Sequence, residues 1–217
     1  MTDVLTETTE LQRRIRAVPA PRPVLDRQHE ARLTDRQREI LDELSAVFDE
    51  GFASLTMAEL AKRANCSLRT LYELAPSRDE LVLTVVDRNL WRVGRRAMPA
   101  IQPDMAPLDA IRAYLEAATV AVSGTTEAFA RDLTSVPAAQ RLSDEHSDYL
   151  VAVTRCLLDY AVERGDIADV DTGAVARVVA SLGRDFSRPD VLPTLRSSPK
   201  EAADSVVEIV LRGLATT

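Results

Sequence analysis

The stretch that decides the fold, residues 56–75, reads TMAELAKRANCSLRTLYELA. Thr56 and Glu59 have the spacing of a capping box, in which a hydroxyl and a carboxylate each bind the backbone amide of the other residue, and this spacing predicts a short helix. Asn65 follows that helix and is the best non-glycine residue for a positive φ, while Ser67 is a good N-cap for another short helix. The stretch therefore predicts two short helices joined by a tight turn.

A longer amphipathic helix is predicted on each side of this stretch. Before it, apolar residues recur at helical spacing over 40–48, and Gly51 can end that helix in a left-handed conformation. After it, Pro76 breaks the chain, and Ser77 and Glu80 repeat the capping-box spacing ahead of a long helix. The whole segment is thus predicted to be helical.

Two short helices with a tight turn on a helical core form a helix-turn-helix motif, whose second helix lies in the major groove of DNA. We expect Leu60 and Leu71 to be buried between the two helices, and Ala61 to let them cross closely. The residues on the other face of the second helix, which would face the groove, are Ser67, Arg69, Thr70 and Glu73.

Five motifs run from Arg36 to Val86: Arg-x-x-x-Ile-Leu, Phe-x-x-Gly-Phe, Thr-x-x-x-Leu-Ala-x-x-Ala, Ser-x-x-Thr-Leu-Tyr and Pro-Ser-Arg-Asp-Glu-Leu. Together they resemble the N-terminal domain of TetR-type transcriptional regulators. The resemblance implies an all-α homodimer that binds a double-stranded DNA operator through an N-terminal domain, here residues 34–94. It also implies a helical C-terminal domain, residues 95–217, that dimerises through its last two helices and holds a small-molecule inducer.

The resemblance further implies which residues contact DNA. Thr56, Met57, Tyr72 and Arg78 match positions that touch phosphate, although Thr56 is equally well explained as a pure N-cap. The expected DNA-binding set is completed by Ser67, Leu68, Arg69 and Thr70.

Arg69 is the main candidate for base recognition. Its guanidinium could donate two hydrogen bonds to O6 and N7 of guanine, which is worth about 1 to 3 kcal/mol of discrimination. The alternative is a solvated charge on an exposed face. Glu73 would repel phosphate unless it accepts a hydrogen bond from a cytosine amine.

The sequence departs from the family pattern at three places. Asn65 replaces the usual glycine of the turn, Arg69 stands where a small residue is common, and Leu74 with Ala75 replaces an aromatic residue after Tyr72. The missing aromatic side chain and Glu73 favour a second hypothesis, a helical protein-interaction module of the same fold that no longer binds DNA.

Composition limits how DNA could be bound. The 217 residues include 27 Lys and Arg against 34 Asp and Glu, for a net charge of −7, which excludes a histone-like protein that binds DNA by bulk positive charge. Residues 1–33 contain three prolines and six arginines and are predicted to form a flexible basic arm. The arm is either a solvated tail or a segment that reaches into the minor groove.

The rest of the chain predicts a second helical region after a proline-rich boundary at residues 98–107. Wide apolar stripes on its last two helices predict a four-helix dimer interface, or else are buried in the core of one subunit. The predicted helices cover about 108–122, 126–135, 138–164, 172–186 and 199–215.

An inducer pocket would be lined by residues between Trp91 and Tyr160. Polar groups on apolar faces are few there, which favours an apolar or amphipathic ligand. Each candidate is also explained as ordinary core. The candidates are Trp91, Met98, Tyr114, Phe129, Tyr149, Cys156 and Tyr160.

Other classes of function find little support. Cys66 and Cys156 form neither a disulfide framework nor a metal-ligand cluster, and with two histidines the chain offers no catalytic assembly, so we expect no enzyme, no cofactor and no metal. We also expect no signal peptide and no membrane span, hence a cytoplasmic protein. Cys66, at the turn, is expected to be inert packing and not a redox switch.

Overall fold

A computed structural model describes residues 9–122, 126–188 and 190–215 of the chain. The expected all-α class is confirmed, since these residues form eleven α-helices and two short 3-10 turns and contain no β-strand. Each predicted helix end of the C-terminal region lies within one residue of the observed end. In chain order the helices are α1 (Glu10–Ala17), α2 (Arg27–Arg32), α3 (Asp35–Asp49), α4 (Met57–Arg63), α5 (Leu68–Leu74), α6 (Arg78–Ala97), α7 (Pro107–Val122), α8 (Glu127–Ser135), α9 (Pro137–Arg164), α10 (Thr172–Phe186) and α11 (Pro199–Leu214).

The chain divides into two compact units. One, which we call the helix-turn-helix unit, consists of Pro21–Val93 and Gly124–His146. The other, which we call the second unit, consists of Met1–Ala20, Gly94–Ser123 and Ser147–Thr217.

The helix-turn-helix unit is built around α3, α4, α5 and the first part of α6. Both short helices begin at the predicted N-caps, Thr56 and Ser67, and the backbone of Asn65 has the predicted positive φ, 43°. Gly51 ends α3 with a φ of 107°, a conformation that side chains rarely allow. The apolar core of these helices includes Ile40, Leu41, Leu44, Phe48, Leu60, Leu71, Leu81, Val82 and Val85.

The compact units do not follow the expected boundary near residue 95 throughout. Helix α8 and the start of α9 belong to the helix-turn-helix unit, because Phe129, Ala139 and Leu142 are buried in its core. The Phe129 ring lies 5.6 Å from the ring of Phe52, which in turn stacks on Phe48 at 4.7 Å. Burial of this aromatic face holds α8 in the unit.

Residues 9–33, which were expected to belong to a flexible arm, contain the two short helices α1 and α2, while residues 1–8 lie outside the described part. In the second unit, α1 buries Leu11 and Ile15, and the Arg14 guanidinium donates to Glu163 at 2.6 and 2.9 Å. That guanidinium also lies 4.6 Å from the centre of the Tyr160 ring. Two apolar residues at i and i+4 are enough to fix a short helix onto an apolar surface.

The segment after α1 is fixed to the helix-turn-helix unit. The Val24 amide donates to the Asp87 carboxylate at 2.9 Å, and the Arg88 guanidinium donates to Glu30 on α2 at 2.6 Å. The arginines of this segment, Arg22, Arg27 and Arg32, are all exposed, and a contact of the segment with the minor groove stays a prediction.

In the second unit, α10 packs on α11, and both pack on α7. Half of the apolar stripe of each of the last two helices is buried inside the unit, as Val179 and Leu211 illustrate. The predicted capping box of Ser198 and Glu201 opens α11. In the described part of the chain, none of the helices is long and apolar enough to cross a membrane.

Candidate nucleic-acid interface

The helix-turn-helix geometry is formed as predicted. Leu60 on α4 and Leu71 on α5 are fully buried, and Ala61 is buried where the two helices cross. The turn closes through a 2.9 Å hydrogen bond from the Cys66 amide to the carbonyl of Ala61. Because the apolar faces of both helices pack against each other, the opposite face of α5 is left exposed and can bind a ligand.

The outer face of α5 carries large side chains that the protein core does not use. Tyr72 is 54% exposed and Leu68 is 44% exposed, and their i,i+4 spacing puts both side chains on one side of the helix. Thr70 is half-buried, and its hydroxyl lies 2.8 Å from the hydroxyl of Ser67, the N-cap of the helix. The expected recognition residues therefore do share one exposed face.

Arg69 extends from this face, with 89% of its side chain exposed. Its Nε donates to Oε1 of Glu73, one helical turn later, at 3.0 Å. The contact occupies one edge of the guanidinium and leaves the Nη1 and Nη2 groups pointing outward as donors. Arg69 and Glu73, which were considered separately in the sequence, thus form one ion pair.

The loop before α4 is held by two charged side chains of opposite sign. Oδ2 of Asp132, on α8, accepts hydrogen bonds from the amides of Phe52 and Ala53 at 2.5 and 2.8 Å. The Arg78 guanidinium donates to the carbonyls of Phe52, Ala53 and Leu55 at 2.8, 2.5 and 2.9 Å. Most of the backbone groups of this irregular loop are satisfied in this way, which fixes the start of α4.

Arg78 therefore has a role that the sequence analysis missed. It was expected to touch phosphate, but it also donates to Asp79, so that four of its five N–H groups are engaged within the unit. Asp132 was missed entirely. Its position three residues after Phe129, on the buried face of α8, is the only local signal of its role.

Thr56 and Met57 also have structural roles in the helix-turn-helix unit. The Thr56 hydroxyl and amide donate to the Glu59 carboxylate at 2.7 and 2.8 Å, and these hydrogen bonds lower the pKa of Glu59. The Met57 side chain is buried, so only its backbone amide, in the first turn of α4, is left for a phosphate. Thr56 thus acts as an N-cap, which was the alternative explanation for this residue.

The position of the missing aromatic residue is filled. Leu74 and Ala75 are both buried in the core of the helix-turn-helix unit, so their departure from the family pattern leaves the packing intact. Cys66 packs against the same core, and burial raises the pKa of its thiol. A raised thiol pKa leaves little reactive thiolate, in line with the expected inert role.

Acidic side chains neutralise several of the cations around the motif. Arg36 donates to Glu39 and Glu43 at 3.1 Å each, and these contacts raise its pKa. Arg63, in the last turn of α4, donates to Glu50 at 3.2 Å. The surface is therefore not a broad basic patch.

The seven residues expected to line an inducer pocket are divided between the two units. Trp91 and Phe129 belong to the helix-turn-helix unit, where Phe129 is core and the Trp91 ring meets the edge of His146 at 5.2 Å. The other five belong to the second unit, in which Tyr114 is buried and Tyr160 lies beneath Arg14. These five are Met98, Tyr114, Tyr149, Cys156 and Tyr160.

The second unit has an open groove of about 430 Å³ elsewhere. Three alanines and Val120 form most of its wall, and Arg96 and Glu116 also line it, so none of the seven expected residues takes part. Within the described residues, we find no group of three or more His, Cys, Asp or Glu side chains that could hold a metal ion.

Comparison with known proteins supports the resemblance seen in the motifs. Residues 40–85 match the model of the bacterial regulatory proteins of the tetR family. No curated protein is similar enough in sequence to be matched to this chain.

Solved structures share the fold over most of the chain. PfmR, a TetR family transcriptional regulator from Thermus thermophilus, is 23% identical, covers 82% of this chain and 99% of its own, and has a TM-score of 0.59. A bacterial regulatory protein in the tetR family from Rhodococcus RHA1 is 21% identical over 85% of this chain and 100% of its own, with a TM-score of 0.64. A TetR transcription regulator from Haloarcula marismortui is 15% identical over 85% and 100%, with a TM-score of 0.69. The chain therefore has the fold of TetR-family transcriptional regulators, with a tetR-type helix-turn-helix segment at residues 40–85.

Proposed function

We propose that the protein is a cytoplasmic transcriptional regulator that binds a palindromic DNA operator as a homodimer. We further propose that it is a repressor, and that a small apolar or amphipathic inducer releases it from the operator. The observation that carries the proposal is the outer face of α5, where Leu68, Arg69 and Tyr72 are exposed on a helix whose other face is locked against α4. The N-terminal residues of such a helix contact base edges in the major groove.

In this proposal Arg69 reads a base, while Ser67, Thr70 and Tyr72 contact the backbone around it. Met57 contributes through its amide in the first turn of α4, where the helix dipole favours a phosphate, and Thr56 contributes by capping that turn. Arg78 contributes by holding the loop that positions that turn. In this scheme Arg69 selects the DNA sequence, and the other residues set the position of the two helices on the DNA backbone.

Exposed apolar residues on the last two helices support dimerisation. Val178 on α10 and Ile209 on α11 are 53% and 70% exposed, although neighbouring residues of both helices are buried within the unit. Two-fold association with a second copy of the chain would bury both side chains. A two-fold dimer would place the two recognition helices about 34 to 36 Å apart, which matches successive major grooves on one side of DNA.

We place the inducer in the second unit. The alanine-lined groove on α7 offers an apolar wall with one arginine and one glutamate, which suits an amphipathic molecule. An inducer that prefers one arrangement of the dimer, while DNA prefers another, weakens DNA binding, and DNA must weaken inducer binding by the same factor.

The first test is a footprint of the purified protein on the DNA that flanks its own gene, followed by selection from random DNA. A protected site with two-fold symmetry is expected. The Arg69→Ala variant should lose affinity for that site far more than for random DNA, whereas Arg196→Ala, which removes the same charge from an exposed position of the second unit, should bind like the wild type. If neither experiment yields a selected sequence, the protein is not an operator-binding regulator and the interaction-module hypothesis takes its place.

A further inference from the structure

We propose that Glu73 is a specificity-determining residue that acts through Arg69, by holding its guanidinium in the orientation that reads one guanine in each half-site. The inference rests on the proposed DNA-binding function. It concerns a residue that, considered alone, would only oppose DNA binding.

The contact restricts how Arg69 can meet a base. A guanidinium can offer two parallel donors either from Nε and one Nη group or from the two Nη groups. Since Nε already donates to Oε1 of Glu73, only the pair of Nη groups remains for O6 and N7 of a guanine. Glu73 thereby selects one of two approach geometries.

Stability of the helix does not explain the pair. Glu73 lies in the last turn of α5, where a negative charge is unfavourable with the helix dipole. The order Arg69 then Glu73 is also the weaker of the two orders for an i,i+4 ion pair. Both side chains are largely exposed, at 89% and 52%, and exposed pairs add little to stability.

Binding to phosphate does not explain it either, because the carboxylate repels the DNA backbone and cancels part of the charge of Arg69. What the pair does provide is order in a long side chain before DNA arrives. Immobilising such a side chain at an interface has a cost in free energy, and an exposed ion pair offsets only part of it, so an Arg69 that Glu73 holds binds its base about 1.4- to 5-fold better.

A double-mutant cycle tests the proposal. The wild type, Glu73→Ala, Glu73→Gln, Arg69→Ala and the double Ala variant are compared on the selected site and on sites with each base pair changed, at one salt concentration. Arg69→Ala should lose about 5- to 150-fold of discrimination at one guanine. Glu73→Ala should lose about 1.4- to 5-fold at the same guanine, with no further loss in the Arg69→Ala background. Glu73→Gln should keep most of the discrimination, since its amide oxygen can still accept from Nε.

Three results would overturn the proposal. Discrimination that is unchanged in Glu73→Ala shows that Arg69 needs no orientation. A loss at a cytosine that persists in the Arg69→Ala background shows that Glu73 reads a base itself. A wild type that selects no sequence removes the proposed function together with this inference, whereas the first two results leave the function standing. Circular dichroism of each variant confirms that the exposed substitutions leave the helices intact.

Discussion

Removal of the Asp132 carboxylate should disturb the loop that positions α4. Asp132→Ala deletes two charge-assisted hydrogen bonds, to the amides of Phe52 and Ala53. Each is worth about 1.5 to 3 kcal/mol, but the Ala53 amide is partly exposed and can turn to water. We therefore expect a loss of about 2 to 4 kcal/mol in the free energy of unfolding. That is a large share of the roughly 5 to 15 kcal/mol of an ordinary domain.

Trp91 makes the measurement direct, because it is the single tryptophan of the chain and lies in the helix-turn-helix unit. Urea unfolding followed by its fluorescence should show a lower midpoint at an unchanged slope. A thermal scan should show a drop of roughly 4 to 16 °C, at 2 to 4 °C per kcal/mol. The matched control is Asp132→Asn, whose amide oxygen keeps both acceptor contacts without the charge and should lose about half as much.

Two results would refute this reasoning. An Asp132→Ala midpoint within about 0.5 kcal/mol of the wild type would mean that the loop before α4 is held by other contacts. Equal losses in the alanine and asparagine variants would mean that the position of the acceptor oxygen is not what matters.

Three further outcomes are expected. Gly51→Ala should lower the free energy of unfolding by about 1 to 3 kcal/mol, because the φ of Gly51 is 107° and a Cβ would lie 3.1 Å from a carboxylate oxygen. Gly94→Ala, in open space on α6, should raise it by about 0.5 to 1 kcal/mol. Urea unfolding curves of the two variants should therefore shift in opposite directions. Burial raises the pKa of the Tyr114 phenol above its ordinary value, so the unfolded chain releases that proton at a lower pH than the folded chain does. The free energy of unfolding should therefore fall as the pH rises above about 10. Urea titrations between pH 9 and 11 should show a smaller fall in Tyr114→Phe than in the wild type. Ile209→Asp should convert the proposed dimer to monomer in light scattering, whereas Leu192→Asp, also at an exposed apolar residue, should leave the mass unchanged.

Local chemistry explains why so much of the fold could be predicted from the sequence. The capping boxes at Thr56 and Ser198 involve residues three apart, and the positive φ of Asn65 depends on that side chain alone. The apolar stripe of α3 likewise indicates which face of the helix is buried, whichever element that face packs against. Such signals are complete within one or two turns of the chain, so they need no knowledge of distant partners.

The contacts that escaped prediction join residues far apart in sequence. Asp132 meets Phe52 across 80 positions, and Arg78 meets the same loop across 26. The place of α8 could not be predicted for a related reason, since nothing in the sequence near Phe129 indicates which core this side chain joins. Arg78 illustrates the further risk of carrying a role over by position, because an arginine can bind backbone carbonyls as well as phosphates.

The charge pattern of the helix-turn-helix unit bears on how the protein would discriminate operator from random DNA. Arg36, Arg63 and Arg69 are each paired with a carboxylate, so their attraction to phosphate is partly cancelled before DNA arrives. Affinity that comes from phosphate contacts is independent of sequence, and a chain with a net charge of −7 starts with little of it. Weak binding to random DNA raises the ratio of specific to non-specific affinity without any stronger base contact, because specificity is a difference between two free energies. The acidic residues that, considered alone, oppose DNA binding would then serve selection, provided that the outer face of α5 supplies enough direct contacts to hold the operator.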